Sequence, residues 1–463
     1  MALIQNPVGR RPLPQLPPLR LPTAGQVRSA IASPRLPSLL AAATVLLVCV
    51  TPSDQDVTAA VHITPADVAS LALVGVCALR AIAALRRGES VLPVRAAVLF
   101  SGVLLAVAIA TAASQDPHES LSGFVRLSQV FVLVPLAVLL SLRRPGTLEL
   151  LLGALTAAAL IEGAVGVEQS VTGTGASYAG GTARAVGTFG AQDIMAMSAV
   201  VSYGLIAALG LALQARAAHR TRRAAAFGLV AAVLALPLAL SFSRGSWIAT
   251  GCAVAVALLI MDARLALRVG AFGLAAAVVL VGGFGLGGDS VATRLGSIAS
   301  VAGAPDHSVS DRYDLWTTAE RIWQQHPATG VGPKEFPQFR DAHAPLRLSS
   351  GSDTAGAGQS YSREPLLSPH NMYLLVLSEE GLIGLTAFAA LFLGLLTGTV
   401  RRTRARAGTG RADAGLGAAL FGLLAWQLVD FLYADIGGPT TVLVSFVLGL
   451  AAYWSLDGGA TTS

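Results

Sequence analysis

The sequence predicts an all-α, polytopic membrane protein of about twelve transmembrane helices with one long extracytoplasmic loop. Three observations predict it. Apolar runs of roughly 15 to 25 residues recur from Leu39 to Trp454, the length a helix needs to cross the hydrocarbon core. Only 13% of the residues are charged, against 54% hydrophobic, and the mean hydropathy is +0.65, a balance that soluble domains rarely carry. Period-two alternation of strands is absent, which argues against an outer-membrane barrel.

The elements follow in chain order. Residues 1–37 are rich in Pro and Arg ("RRPLPQLPPLRLP") and read as a basic, disordered cytoplasmic tail. The first apolar run lacks a clear small-x-small cleavage site, so it reads as a retained span. Nine spans are expected within 38–287: 38–51, 66–85, 94–113, 121–142, 147–171, 191–214, 224–241, 246–261 and 265–287. The loop takes 288–370. Spans at 371–399, 412–434 and 439–456 fill 371–456, and 457–463 is a short cytoplasmic tail.

The net charge of +6 comes from 32 basic residues, of which Lys334 alone is lysine. That excess reads as topology rather than as a nucleic-acid surface, because most of the arginines fall between spans. Arg86, Arg87 and Arg95, then Arg143 and Arg144, then Arg216 to Arg223, Arg264 and Arg268, and Arg401 to Arg411 occupy alternate connections. The intervening "TPSDQDV", "SQDPHES" and "YADIGGP" have none. The alternation places both termini in the cytoplasm of a multi-pass protein of the cytoplasmic (inner) membrane. Cys49, Cys77 and Cys252 all lie in apolar runs and offer neither a disulfide framework nor a zinc spacing.

Two arginines break the pattern by standing in short outside connections, Arg184 in "RAVGTFGAQD" and Arg244 in "SFSRGSW". The long loop falls outside as well. Its residues 349–364 read as disordered or mobile, and residues 311–340 read as folded, with "DLWTTAERIWQQ" an amphipathic helix near the membrane surface. His370 stands at the outer end of the tenth span, followed by Asn371, a helix cap, and by Glu379 and Glu380. If that span is continuous, either acid lies ~14 Å below the mouth and needs an arginine partner. Tyr373 sets the helical face; spacing from it favours Glu380.

Taken together, "RAVGTFGAQD", "SFSRGSW", "DRYDLWTTAERIWQQHPATGVGPKEF" and "HNMYLLVLSEEGLIGL" resemble the O-antigen ligase and O-antigen polymerase superfamily in order and spacing, over roughly residues 180 to 400. The resemblance implies a fold like the type-C glycosyltransferases and a glycan donor carried on undecaprenyl pyrophosphate. It implies an acceptor that is a lipid, a protein hydroxyl or a growing glycan. Carried over, Arg244 and Arg312 match the family's essential arginines, His370 its essential histidine, Arg184 the arginine before span six, and Glu379 its acid. Gln192-Asp193 departs from the family's frequent Pro-Asn.

Physical chemistry agrees. Guanidinium groups bind phosphate bidentately and stay ionised, so they stabilise the charge that builds on a leaving diphosphate. Lys334 would add charge. An imidazole can take the proton of an attacking hydroxyl, and single displacement predicts an inverting reaction that needs no metal. Asn371 and Tyr373 join Arg184, Lys334 and Glu379 as candidate substrate contacts. Beside this stand blander readings. Arg244 could be an interfacial anchor, and Arg312 a structural partner of Asp311 or Asp314. Asp54 and Asp56 could hold Mg or Mn, against the simpler reading of a solvated acidic loop. Glu162 and Asp430 could pair with buried arginines or face a substrate channel. A polymerase extending the lipid-linked glycan is the alternative within the same chemistry. A transporter or flippase is the alternative outside it, disfavoured because the unusual polar residues gather at span ends and no internal repeat is evident.

Overall fold

In a computed structural model, residues 33–51, 64–176, 184–190, 193, 195–278, 307–345 and 368–456 are described. Asp54, Asp56, Gln192, residues 349–364 and most of both tails lie outside them. The chain from Pro37 onward forms one compact unit. Every regular element among the described residues is helical, and their one β feature is an isolated bridge between Ala176 and Arg184.

The first helix, α1 (Leu36–Leu47), is short. α2 (Pro65–Arg86) starts on a capping box in which Thr64 and Asp67 exchange hydrogen bonds, with Pro65 at the first position. α3 (Val94–Ala113) follows. Asp116 caps α4 (Pro117–Ser128), which passes through a π turn at Gln129–Leu133 into α5 (Val134–Ser141). Pro135 has no N–H to give the preceding turn, and the ladder widens just before it. α6 (Thr147–Thr172) is bounded by left-handed Gly146 and Gly173. α7 (Ala196–Ala217), α8 (Thr221–Leu240), α9 (Arg244–Met261) and α10 (Ala263–Val278) complete the first part. The loop contributes α11 (His307–Gln325) and α12 (Phe336–His343). Last come α13 (Met372–Glu379), α14 (Gly381–Gly408), α15 (Ala414–Asp430) and α16 (Thr441–Leu456).

Among the described residues, eight helices could by length and composition cross a membrane: α2, α3, the α4–α5 rod, α6, α7, α8, α9 and α14. α1, α15 and α16 are apolar but shorter. The protein is thus an all-helical, multi-pass membrane protein. α7 is its central pillar, with 78% of its apolar window buried, against 17% in α8 and 22% in α2. Leu71, Leu79 and Leu229 on those outer helices are exposed, as lipid contact requires. Inside, hydroxyls tie the pillar to its neighbours. Thr250 donates to Ser202 at 2.8 Å, Trp426 Nε1 donates to Thr250 at 3.1 Å, and Tyr203 bonds Gln427.

Two expectations change. The run 371–399 is not one span. The helix breaks at Glu380, and Gly381 takes φ +63°. Tyr373 and Phe392 would stand about 28 Å apart on a straight helix. Instead their rings lie 6.4 and 6.0 Å from the one Phe431 ring, so α13 folds back beside α14. The amphipathic helix is present as α11, but its apolar stripe of Leu315, Ala319 and Ile322 packs on Val331, Phe336 and the α13 leucines rather than on a bilayer.

Candidate functional site

The sequence "SFSRG" links α8 to α9 through a tight corner. Phe242 adopts φ +49°, and Ser243 Oγ accepts the Ser246 N–H at 3.4 Å as the cap of α9. Arg244 is therefore the first residue of a helix, where the dipole disfavours a cation by a few tenths of a kcal/mol to about 1. A guanidinium placed there adds to the dipole's positive end, an arrangement suited to an anion. Gly245 lets the Tyr433 ring lie directly on the helix start; a Cβ there would overlap the ring. Below it, Ser246 bonds Ser198 at 2.8 Å, fixing α9 against the pillar.

Arg312, half-buried on the second turn of α11, faces the same place. Burial lowers its pKa from the ordinary value; Tyr433 and Asp435 oppose that shift, and Arg244 adds to it. Two guanidinium groups are thus close enough to feel one another. Burial raises the Tyr433 phenol, with Asp430 reinforcing the shift and Arg312 opposing it. Its hydroxyl is buried and has no hydrogen-bond partner among the described residues.

His370 stands beside them. Its Nδ1 is 3.9 Å from Asp435 Oδ2, its side chain is 47% exposed, and its backbone is left-handed at φ +49°. Such a conformation in a non-glycine residue carries strain of order 1 kcal/mol or more. Three ties hold it there. The His370 N–H donates to Ser368 Oγ at 3.3 Å, Ser368 Oγ donates to Asp435, and Trp316 Nε1 of α11 donates to the Pro369 carbonyl at 3.1 Å.

The structure divides the expected site residues. Arg244, Arg312 and His370 come together. Arg184 lies in a bridge with Ala176, and the following Ala185 N–H bonds the Leu240 carbonyl at the end of α8, so Arg184 shares this end of the bundle. Asn371 is a cap, as expected. Its Oδ1 accepts the Leu374 N–H and its Nδ2 donates to the Leu432 carbonyl, which occupies both ends of the amide. The Tyr373 hydroxyl donates to the Leu428 carbonyl at 2.8 Å, inside the bundle. For Glu379 the expected arginine partner is corrected. Its carboxylate takes no arginine; it accepts the backbone N–H groups of Lys334 at 2.9 Å and Phe336 at 3.1 Å. Lys334, left-handed at φ +68°, anchors "GVGPKEF" by that amide, while its exposed side chain sits at the far end of α13 from His370. Glu162 likewise finds Thr188 instead of an arginine, accepting its N–H at 2.9 Å and its hydroxyl at 2.7 Å.

Asp435 and Tyr433 were not among the expected residues. Their connection, "LYADIGGP", is short and carries an acid and a phenol where glycine and proline alone would turn the chain. No three His, Cys, Asp or Glu side chains among the described residues converge as a metal site.

No curated protein matches the chain. Residues 229–389 match the family model of the O-antigen ligases. That stretch holds Arg244, Arg312 and His370, whereas Arg184 and the 433–438 turn lie outside it. Over these residues the match supports kinship with the O-antigen ligase and polymerase superfamily, transferases of polysaccharide biosynthesis.

Proposed function

We propose that the protein transfers a glycan from a polyprenyl (undecaprenyl) pyrophosphate carrier to an acceptor hydroxyl, at the extracytoplasmic face of the cytoplasmic membrane. The observation that carries this reading is the convergence of Arg312 and Arg244 beside a His370–Asp435 pair at one end of the bundle. The two guanidiniums hold the diphosphate, with the first turn of α9 adding its dipole. The acceptor oxygen attacks the anomeric carbon while His370 takes its proton. The bond from that carbon to the phosphate oxygen breaks, and the electron pair leaves on the pyrophosphate, where the arginines stabilise it. Asp435 orients the imidazole and stabilises its protonated form. The Tyr433 hydroxyl is placed to donate to a substrate oxygen. A single displacement inverts the anomeric centre and needs no metal, since the arginines supply the positive charge.

The test uses the full chain in proteoliposomes with a lipid-linked glycan and an acceptor. His370→Ala and Arg244→Ala should each abolish transfer while the protein inserts at normal levels, and EDTA should leave the wild-type rate unchanged. Near-normal transfer by both variants would overturn the assignment. Metal-reversible inhibition by EDTA would overturn the metal-free mechanism.

A further inference from the structure

At the opposite end of the bundle, an open groove of about 390 Å³ runs between α3, α14 and α16. Its position in the fold is set by two glycines. A Cβ on Gly394 would meet Leu99 at 2.9 Å, and one on Gly398 would meet Ser455 at 2.7 Å, so α14 comes close to both neighbours along this line. Deeper toward the middle of the bundle the wall is apolar, with Val98 62% exposed and Leu99 beside it. Polar groups gather at the other end: Arg95, Arg401, Thr397 and Ser455.

The arginines here divide into two sets. Arg402 donates to the Trp454 carbonyl at 2.7 Å, and Arg406 pairs with Asp413; both stack on the Trp454 ring. Arg95 and Arg401, exposed at the groove, have neither an ion pair nor a hydrogen bond among the described residues. Ser455 Oγ is buried and also has no partner. The residues lining the groove include no acid. A second groove at this end provides a contrast. It is about 420 Å³ and presents Arg220 and Arg223, but Glu149 lines it too.

We propose that the α3–α14–α16 groove binds an anionic diacyl phospholipid. Its phosphodiester sits between Arg95 and Arg401 and accepts from the Ser455 hydroxyl, while one acyl chain follows the wall of Val98 and Leu99. Guanidiniums pair with phosphate bidentately, basic pockets between transmembrane helices suit anionic headgroups, and a helical membrane protein meets lipid along such a face in any case. Glu149 makes the second groove a poor host for the same headgroup.

The experiment is lipid retention. The full chain is reconstituted in nanodiscs of phosphatidylcholine with one fifth phosphatidylglycerol, extracted in mild detergent, and weighed intact with its bound lipid. Phosphatidylglycerol should be retained over phosphatidylcholine by about tenfold after correction for abundance, a ratio in line with two arginines near an anionic headgroup. Arg95→Gln with Arg401→Gln should remove that preference. Arg220→Gln with Arg223→Gln should leave it intact, and excess inorganic phosphate should not displace the lipid. Equal retention of the two lipids, displacement by free phosphate, or equal loss in both double variants would each overturn the proposal. Gel filtration and helical circular dichroism check that every variant is folded. Glycan transfer is not the readout, so failure here is independent of the catalytic reading.

Discussion

The two ends of α13 carry polar residues of one sequence motif and treat them in opposite ways. At its start, His370 is about half exposed, held in a left-handed backbone, and faces Asp435 across 3.9 Å. At its end, Glu379 is 5% exposed and its carboxylate accepts two backbone N–H groups. Glu380, 1% exposed, has no hydrogen-bond partner for either oxygen among the described residues. Strain and exposure at one end suit a group that must reach substrate. Burial at the other, with the Glu379 carboxylate bound to two backbone amides, suits a clamp. The difference teaches that an acid and a base nine or ten residues apart in a motif need not share a site.

Substitutions can break that comparison, and the largest effects belong at the open end. Removing a positioned base typically lowers a rate by about 10² to 10⁴. His370→Ala should therefore reduce transfer by at least about 10², measured in proteoliposomes, with little change in melting temperature. Arg312→Ala should come next, losing about 3–4 kcal/mol of transition-state stabilisation by analogy with an oxyanion donor. Arg312→Lys should recover only part of that, because an ammonium cannot make the bidentate contact. Were Arg312→Ala to unfold the protein while Arg312→Lys restored full activity, Arg312 would be a structural tie instead.

The closed end should respond in stability. Glu379→Ala leaves the buried Phe336 amide and the part-buried Lys334 amide without an acceptor, at a cost of about 1–3 kcal/mol for a buried one. Thermal unfolding in detergent should show a clear drop in the midpoint, and the residual folded fraction should turn over normally. A rate loss without a stability loss would move Glu379 into the catalytic site and erase the contrast between the two ends.

How much of this was legible in the sequence depends on which signal a residue leaves. The spans leave the strongest one, because lipid-facing helices need long apolar runs, and the described helices follow them closely from α2 to α9. Arg244 was legible because an arginine at a span end read as outside contradicts the charge bias, and His370 because it stands as a polar group at a span mouth on that same side. The break at Glu380 was not, since apolar runs on both sides of the Ser378–Gly381 stretch are together long enough to read as one span. Its one trace is Gly381, the residue type that ends helices in a left-handed turn. Glu379's real partners could not be read at all. They are backbone amides some 45 positions earlier, and an amide has no sequence signature. Asp435 was passed over because a single acid in a short turn looks solvated until a histidine is seen facing it.

Gly381 gives the smallest and most local test. Its φ of +63° disfavours a Cβ, and the Ala328 carbonyl lies where that Cβ would sit, while the Leu382 N–H donates to the Pro327 carbonyl at 2.9 Å and the Ile383 N–H to the Ala328 carbonyl at 3.1 Å. Gly381→Ala should therefore loosen the turn from the loop, with strain of roughly 1–2 kcal/mol. If the clamp serves only to hold α13 in place, two results should follow. Thermal stability should fall by that amount, and transfer measured well below the transition should fall severalfold at most, because His370 remains tied through Ser368, Asp435 and Trp316 at the other end. A rate loss as deep as that of His370→Ala would mean that the turn sets the position of the imidazole directly. The two ends of α13 would then be one mechanical unit rather than two separate jobs.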